Sequence, residues 1–128
     1  DHATTIRVLV KHGADVNERA GRNHTPPLCI ACAYGSDRAV VELIRSGADV
    51  NGCDKKGMTP LMSACHLRGL PTTVSLLLDS GAKVELTNER GETAVDIVME
   101  ATPDEEGKYN QVEQALSMHR LAQEKVKN

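Results

Sequence analysis

Gly13-Ala14-Asp15-Val16-Asn17 returns as Gly47-Ala48-Asp49-Val50-Asn51 and again, altered, as Gly81-Ala82-Lys83-Val84-Glu85. Successive copies stand 34 residues apart. A fixed period of this size, with an apolar run ahead of each copy, marks stacked supersecondary units instead of one globular core.

The segments before the phrase superimpose as Ile6-Arg7-Val8-Leu9-Val10, Val40-Val41-Glu42-Leu43-Ile44 and Val74-Ser75-Leu76-Leu77-Leu78. Apolar residues at i, i+3 and i+4 predict a short amphipathic helix in each. Gly13, Gly47 and Gly81 stand where a left-handed C-terminal cap would end it. Further upstream, Thr25-Pro26-Pro27-Leu28-Cys29-Ile30-Ala31-Cys32 matches Thr59-Pro60-Leu61-Met62-Ser63-Ala64-Cys65. Proline at a first helical position costs nothing, since its missing amide proton would be unpaired there. Each unit is thus expected to hold two antiparallel helices. Polar connectors with Gly21, Gly57 and Gly91 then predict turns that project from the stack.

The composition suits thin helical layers. Among 128 residues, 40% are hydrophobic and 26% charged, but there is no Trp or Phe and the only aromatics are Tyr34 and Tyr109. Leu, Val, Ile, Ala and Met must therefore fill the core. A net charge of -3 gives no general attraction to nucleic acid or to an anionic membrane. No apolar run approaches membrane-spanning length. Cys29, Cys32, Cys53 and Cys65 accompany no visible signal peptide, so free thiols in a reducing, cytoplasmic or nuclear setting are expected. The sequon Asn23-His24-Thr25, followed by Pro26, reads as a chance match. Opening on a half-unit without Met, the chain reads as a piece of a longer protein.

At this point the residues resemble the ankyrin repeat. The family pattern of Asp, Gly, Thr-Pro-Leu, a small pair, Gly and a helix ending in Gly-Ala-Asp-Val-Asn is met most fully from Asp54 to Glu85. The resemblance implies an all-α ankyrin-repeat solenoid of about three and a half repeats: half a repeat at 1–17, full repeats at 18–51 and 52–85, and a capping repeat at 86–128. The last carries an acidic insertion at 101–108 and a long final helix from about Asn110, with Val112, Ala115, Leu116 and Ala122 as a modest apolar stripe. Thr25 to Gly35 and Thr59 to Gly69 each exceed the usual spacing by one, and Pro27 reads as the extra residue in the first. Ala20 and Asn23 replace the expected Asp and Gly, so an irregular first finger is expected.

Candidate chemistry yields to packing. Cys29 and Cys32 form a C-x-x-C pair, and Cys65, His66 and His24 would complete a zinc set on paper. Cys32 and Cys65, however, share the small position of an Ala-Cys pair, where cysteine serves as a small hydrophobe. A redox pair would need a strand-to-helix junction. Ser63, His66 and Asp96 show no spacing that orders a nucleophile and its base. No catalytic residue, metal site or cofactor is expected.

The resemblance implies instead a protein-binding module, with partners held on the concave face of finger tips and first helices. Those positions are Arg19, Arg22 and His24; Lys55, Lys56 and Met58; Glu89, Arg90 and Glu92; with Tyr34, His66, Leu67 and Arg68 at helix ends. The first two fingers are basic and the third, with Glu100, is acidic. The expected partner is a protein or peptide with an acidic segment, with Tyr34, Met58 and Leu67 as apolar anchors, and the fragment is expected to be monomeric and to bind neither nucleic acid nor membrane. The resemblance also implies candidate hydroxylation at Asn17 and Asn51, a match that Glu85 abolishes in the third copy. The alternative is a substrate-recruiting or regulatory segment of an enzyme, such as a ubiquitin ligase, or of a channel.

Overall fold

The computed structural model describes residues 2–66, 70–100 and 108–127. Its helices are α1 (His2–Lys11), α2 (Pro27–Tyr34), α3 (Asp37–Arg45), α4 (Pro60–His66), α5 (Pro71–Asp79), α6 (Ala94–Glu100) and α7 (Lys108–Lys127). They form two rows. An inner row packs α2 on α4 and α4 on α6, while an outer row runs α1, α3, α5, α7. The pairs α2–α3, α4–α5 and α6–α7 tie the rows together.

The core between the rows is Leu28, Val40, Leu61, Met62, Val74, Leu77, Val112 and Leu116, all fully buried. Ala64, Cys32 and Cys65 have no exposed surface, and their small size lets inner helices approach one another. The outer row adds polar links between repeats. Arg7 Nε and Nη2 donate to the two carboxylate oxygens of Glu42 at 3.2 and 3.1 Å, and Thr73 Oγ1 donates to Asp37 Oδ1 at 2.7 Å. The guanidinium's hydrogen bonds hold the Glu42 carboxyl below the usual range.

Each residue of the repeated phrase has its own task. Gly47 and Gly81 both have φ 95, a conformation that any Cβ would strain. The amide of Gly47 donates to Ile44 O and that of Ala48 to Leu43 O, closing the end of α3 as a Schellman motif; Gly81 and Ala82 do the same for α5. Ala48 and Ala82 are buried there, and Val84 beside them. Asp49 Oδ1 accepts from Asn51 N, shaping the turn, as Asp15 Oδ1 does from Asn17 N.

Asparagine then crosses to the next repeat. Asn17 Nδ2 donates to Gly47 O at 3.3 Å while its Oδ1 accepts from Asp49 N at 2.8 Å; Asn51 does the same with Gly81 O and Lys83 N at the same distances. A carboxylate cannot donate to a carbonyl, so Glu85 has lost this function at the position where no fourth copy of the phrase follows.

Two expectations need correction. The extra residue of the second repeat is not Pro27. Pro27 opens α2 as Pro60 opens α4, and Pro26, extended at φ -65 and ψ 149, holds the cap position. The surplus is absorbed in the finger, where Ala20 pairs with Thr25 across four residues instead of the three that separate Asp54 from Met58. That shift places His24, and not Asn23, where Gly57 stands one repeat later; His24 has φ 49, the one positive value on a described residue other than glycine. It also strips α2 of a side-chain cap, whereas Thr59 Oγ1 accepts from Met62 N in α4. The second correction is smaller: α7 begins at Lys108, and Ala122 is exposed, so the buried stripe comprises Val112 and Leu116 with Ala115 half-buried.

Replacing Asn51 by Ala removes two hydrogen bonds to the third repeat and is expected to destabilise the fold by about 1–2 kcal/mol. Glu85→Ala should stay within about 0.5 kcal/mol of wild type. Urea unfolding of the two variants beside wild type measures the contrast.

Candidate functional site

The fingers form a continuous wall. In the second, Asp54 Oδ1 accepts from Lys56 N and Met58 N at 2.8 and 3.0 Å; in the third, Asn88 Oδ1 accepts from Arg90 N and Glu92 N at 2.9 and 3.0 Å. Each turn is therefore shaped by one Asx side chain. The fingers are then joined edge to edge, because Lys55 N donates to Asn23 O at 2.8 Å and Glu89 N to Lys56 O at 2.9 Å. A Cβ at Gly57 would stand 3.0 Å from Asn88 Cα, so this close approach, as well as φ 79, demands glycine.

Between this wall and the inner helices lies a groove of about 520 Å³. Lys56, Met58, Glu89, Arg90 and Glu92 face it from the fingers and His66 from α4, so six of the residues expected to bind a partner are brought together. Asn23, Ala33, Asp54, Ser63, Asn88, Ile97 and Glu100 line it as well. Of these, only Glu100 was singled out by charge. The signal for the others is the repeat register: stepping from His66 by one repeat in each direction gives Ala33 and Glu100, which form one row along the inner helices.

The remaining expected residues lie elsewhere. Arg19, Arg22, His24 and Lys55 are exposed around the first two fingers, outside the groove lining. Tyr34, with 71% of its surface exposed, lines a second, apolar cleft with Pro27 and Ile30, away from Met58. Leu67, Arg68 and residues 101–107 of the acidic insertion lie outside the described residues. Asn17 and Asn51 have both ends of their amides engaged between repeats, as described above.

The groove holds four carboxylates, of Asp54, Glu89, Glu92 and Glu100, against two cations, Lys56 and Arg90, so its own field is acidic. Two of the carboxylates have local work: Asp54 holds its turn, and Glu92 Oε1 accepts from Asn88 Nδ2 at 3.1 Å. Glu100 lies against Glu92, and a hydrogen bond to it followed by like-charge repulsion raises the Glu100 pKa. The N-terminus of α6 shows the opposite effect. Thr93 N donates to Asp96 Oδ2 at 2.9 Å and Asp96 N to Thr93 Oγ1 at 3.3 Å, a capping box that lowers the Asp96 pKa.

No group of three metal-ligating side chains gathers among the described residues. Burial pushes the Cys29 and Cys65 thiols up to about 12 and Cys32 higher still. Cys29 Sγ lies 3.5 Å from Gly52 O and 3.7 Å from Met58 O, a weak donor placed among backbone carbonyls. Ser63 Oγ donates to Thr59 O at 3.1 Å, and Asp96 is held by Thr93, so neither is directed at His66.

Two outcomes follow. In the folded chain a thiol reagent should label Cys53, the half-buried cysteine, well before Cys29, Cys32 and Cys65, whose labelling waits on unfolding; the time course of labelled mass checks this. Because the folded chain binds the Glu100 proton more tightly than the unfolded chain, the stability it lends is full below the ordinary carboxylate range and is lost as pH rises through the Glu100 pKa. Glu100→Gln should therefore raise the Tm at pH 7, with a gain that shrinks as the pH is lowered into the carboxylate range.

A family model described as ankyrin repeats, in three copies, matches residues 1–88. Among curated proteins nothing matches the chain significantly. Repeats of this kind are in general protein–protein interaction modules and typically not catalysts. With its two rows of helices, its capped turns and its stitched fingers matched by that model, the chain belongs to the ankyrin repeat family.

Proposed function

We propose that this chain is the partner-binding part of a larger intracellular protein and that it holds a peptide or protein surface along the finger wall and the groove behind it. The observation that carries the reading is the rigid, edge-joined wall, whose tips point charged side chains outward with their backbone already satisfied. Among the described residues no ion pair engages Arg19, Arg22, Lys55 or Lys56. These cations form an exposed basic end, and Glu89, Glu92 and Glu100 form an acidic one. The partner that fits is bipolar. Its acidic segment lies on the first two fingers, and a basic residue follows where the groove reaches Glu92 and Glu100. Met58 and Ile97 supply apolar surface between the two ends.

Charge of this kind acts mainly on the rate of encounter. On a peptide array the chain should retain sequences with an acidic segment, and Lys55→Glu with Lys56→Glu should slow association with those peptides by roughly tenfold at low salt while changing dissociation less. Equal binding by wild type and the double variant, or retention of peptides irrespective of charge, would remove the basis for this reading.

A further inference from the structure

The first finger departs from its neighbours at one side chain. Asp54 Oδ1 and Asn88 Oδ1 each accept from two backbone amides of the second and third fingers, and so satisfy those tips. Ala20 holds the equivalent position in the first finger and has no side-chain oxygen. Thr25 N turns instead to Ala20 O at 3.0 Å, and the amides of Arg22 and Asn23 meet no acceptor among the described residues. The surplus residue widens the same turn, so Arg22, Asn23 and His24 all stand exposed on it. Asn23 O then accepts from Lys55 N at 2.8 Å, which sets Arg22 and His24 beside Lys55 and Lys56 of the second finger. These four side chains are exposed, and among the described residues no ion pair engages any of them. Four side-chain donors and two unpaired amides thus border one finger junction.

Such a donor set suits a ligand rich in acceptor oxygens. A carboxylate brings two oxygens and a single charge, whereas a phosphorylated side chain brings three oxygens and a charge of about -1.5 to -2 at pH 7. Arg and Lys meet those oxygens with short charge-assisted bonds, and unpaired backbone amides add donors of fixed direction. We infer that the junction of the first and second fingers takes a phosphorylated side chain of the partner, held by Arg22, His24, Lys55 and Lys56 and by the Arg22 and Asn23 amides. This rests on the reading that the finger wall binds a bipolar peptide, and it makes that binding dependent on phosphorylation of the partner. The acidic end of the wall decides against longer polyanions. An RNA strand or an anionic membrane surface following the fingers would run from the basic junction onto Glu89, Glu92 and Glu100. A peptide with one phosphate ahead of a basic residue meets opposite charge at both ends.

The probe is a fluorescent synthetic peptide in which a central residue lies between aspartates with a lysine further along, made with serine, glutamate or phosphoserine at the centre. Anisotropy titrations with the chain should show the phosphoserine form binding roughly tenfold tighter than the glutamate form. Ala20→Asp gives the first finger the oxygen that Asp54 gives the second, so it should leave the Tm unchanged or higher while removing most of that tenfold gain. Arg22→Gln should remove most of it as well. Equal binding of the glutamate and phosphoserine forms by wild type, or a gain that survives in either variant, overturns the inference and leaves the bipolar reading standing. Failure of all three peptides to bind removes both. If single-stranded RNA or phosphatidylserine vesicles displace the phosphopeptide at matching phosphate concentration, the junction serves a polyanion or a membrane, and the inference is equally overturned.

Discussion

Two side-chain amides, those of Asn17 and Asn51, set the spacing on which everything else depends. Each donates to one backbone atom of the next turn and accepts from another two residues on, so each fixes position and orientation together. Apolar contacts between the helices are non-directional and cannot set register by themselves, so these bonds, with those between outer helices and between fingers, fix it. The left-handed glycines make the link achievable by turning the chain sharply enough to bring consecutive turns side by side. Outer helices, inner helices and fingers then inherit one translation.

The same translation creates the site. Because neighbouring fingers stand a strand's separation apart, their backbones hydrogen-bond edge to edge, and the side chains at their tips are left to face outward. The groove behind them is floored by inner-helix positions that recur once per repeat. Their identities vary freely, since Ala33, His66 and Glu100 occupy one row without disturbing the packing beneath. A charge gradient along the groove follows from which residues fill that row and the tips. The fold fixes the number of finger and groove positions and their spacing, and the residues that fill them fix the chemistry the groove presents.

Where the repeat is broken, the structure shows how much the fold tolerates. One surplus residue in the first finger is accommodated by a wider turn and a histidine held at φ 49, while the hydrogen bond from Lys55 N to Asn23 O survives. The altered third copy, with Lys83 and Glu85, keeps the glycine and the alanine that end α5 and gives up the asparagine that would reach onward. The aspartate that shapes the turn is lost at Lys83, while the glycine and alanine that close the helix persist to the end of the array. The part that acts between repeats stops with it.

Period, helix pairs, capping glycines and the basic-to-acidic order of the fingers were all legible in the sequence. Each depends on local chemistry, on glycine's access to positive φ, on apolar spacing, or on charge at a turn. Tertiary structure alone decided which residues meet. Tyr34, Met58 and Leu67 read as apolar anchors for one partner, yet Tyr34 and Met58 lie in different clefts, because an inner helix has two sides and spacing along the chain does not say which neighbour covers each. Glu100 reads as part of an acidic end, but only the folded chain sets it against Glu92. Asn23 read as standing at the finger's glycine position, and the hydrogen bonds that place the surplus residue within the finger give that position to His24. A one-residue surplus hardly changes composition or local propensity, so where it is absorbed, and which residues then face each other, is settled by packing.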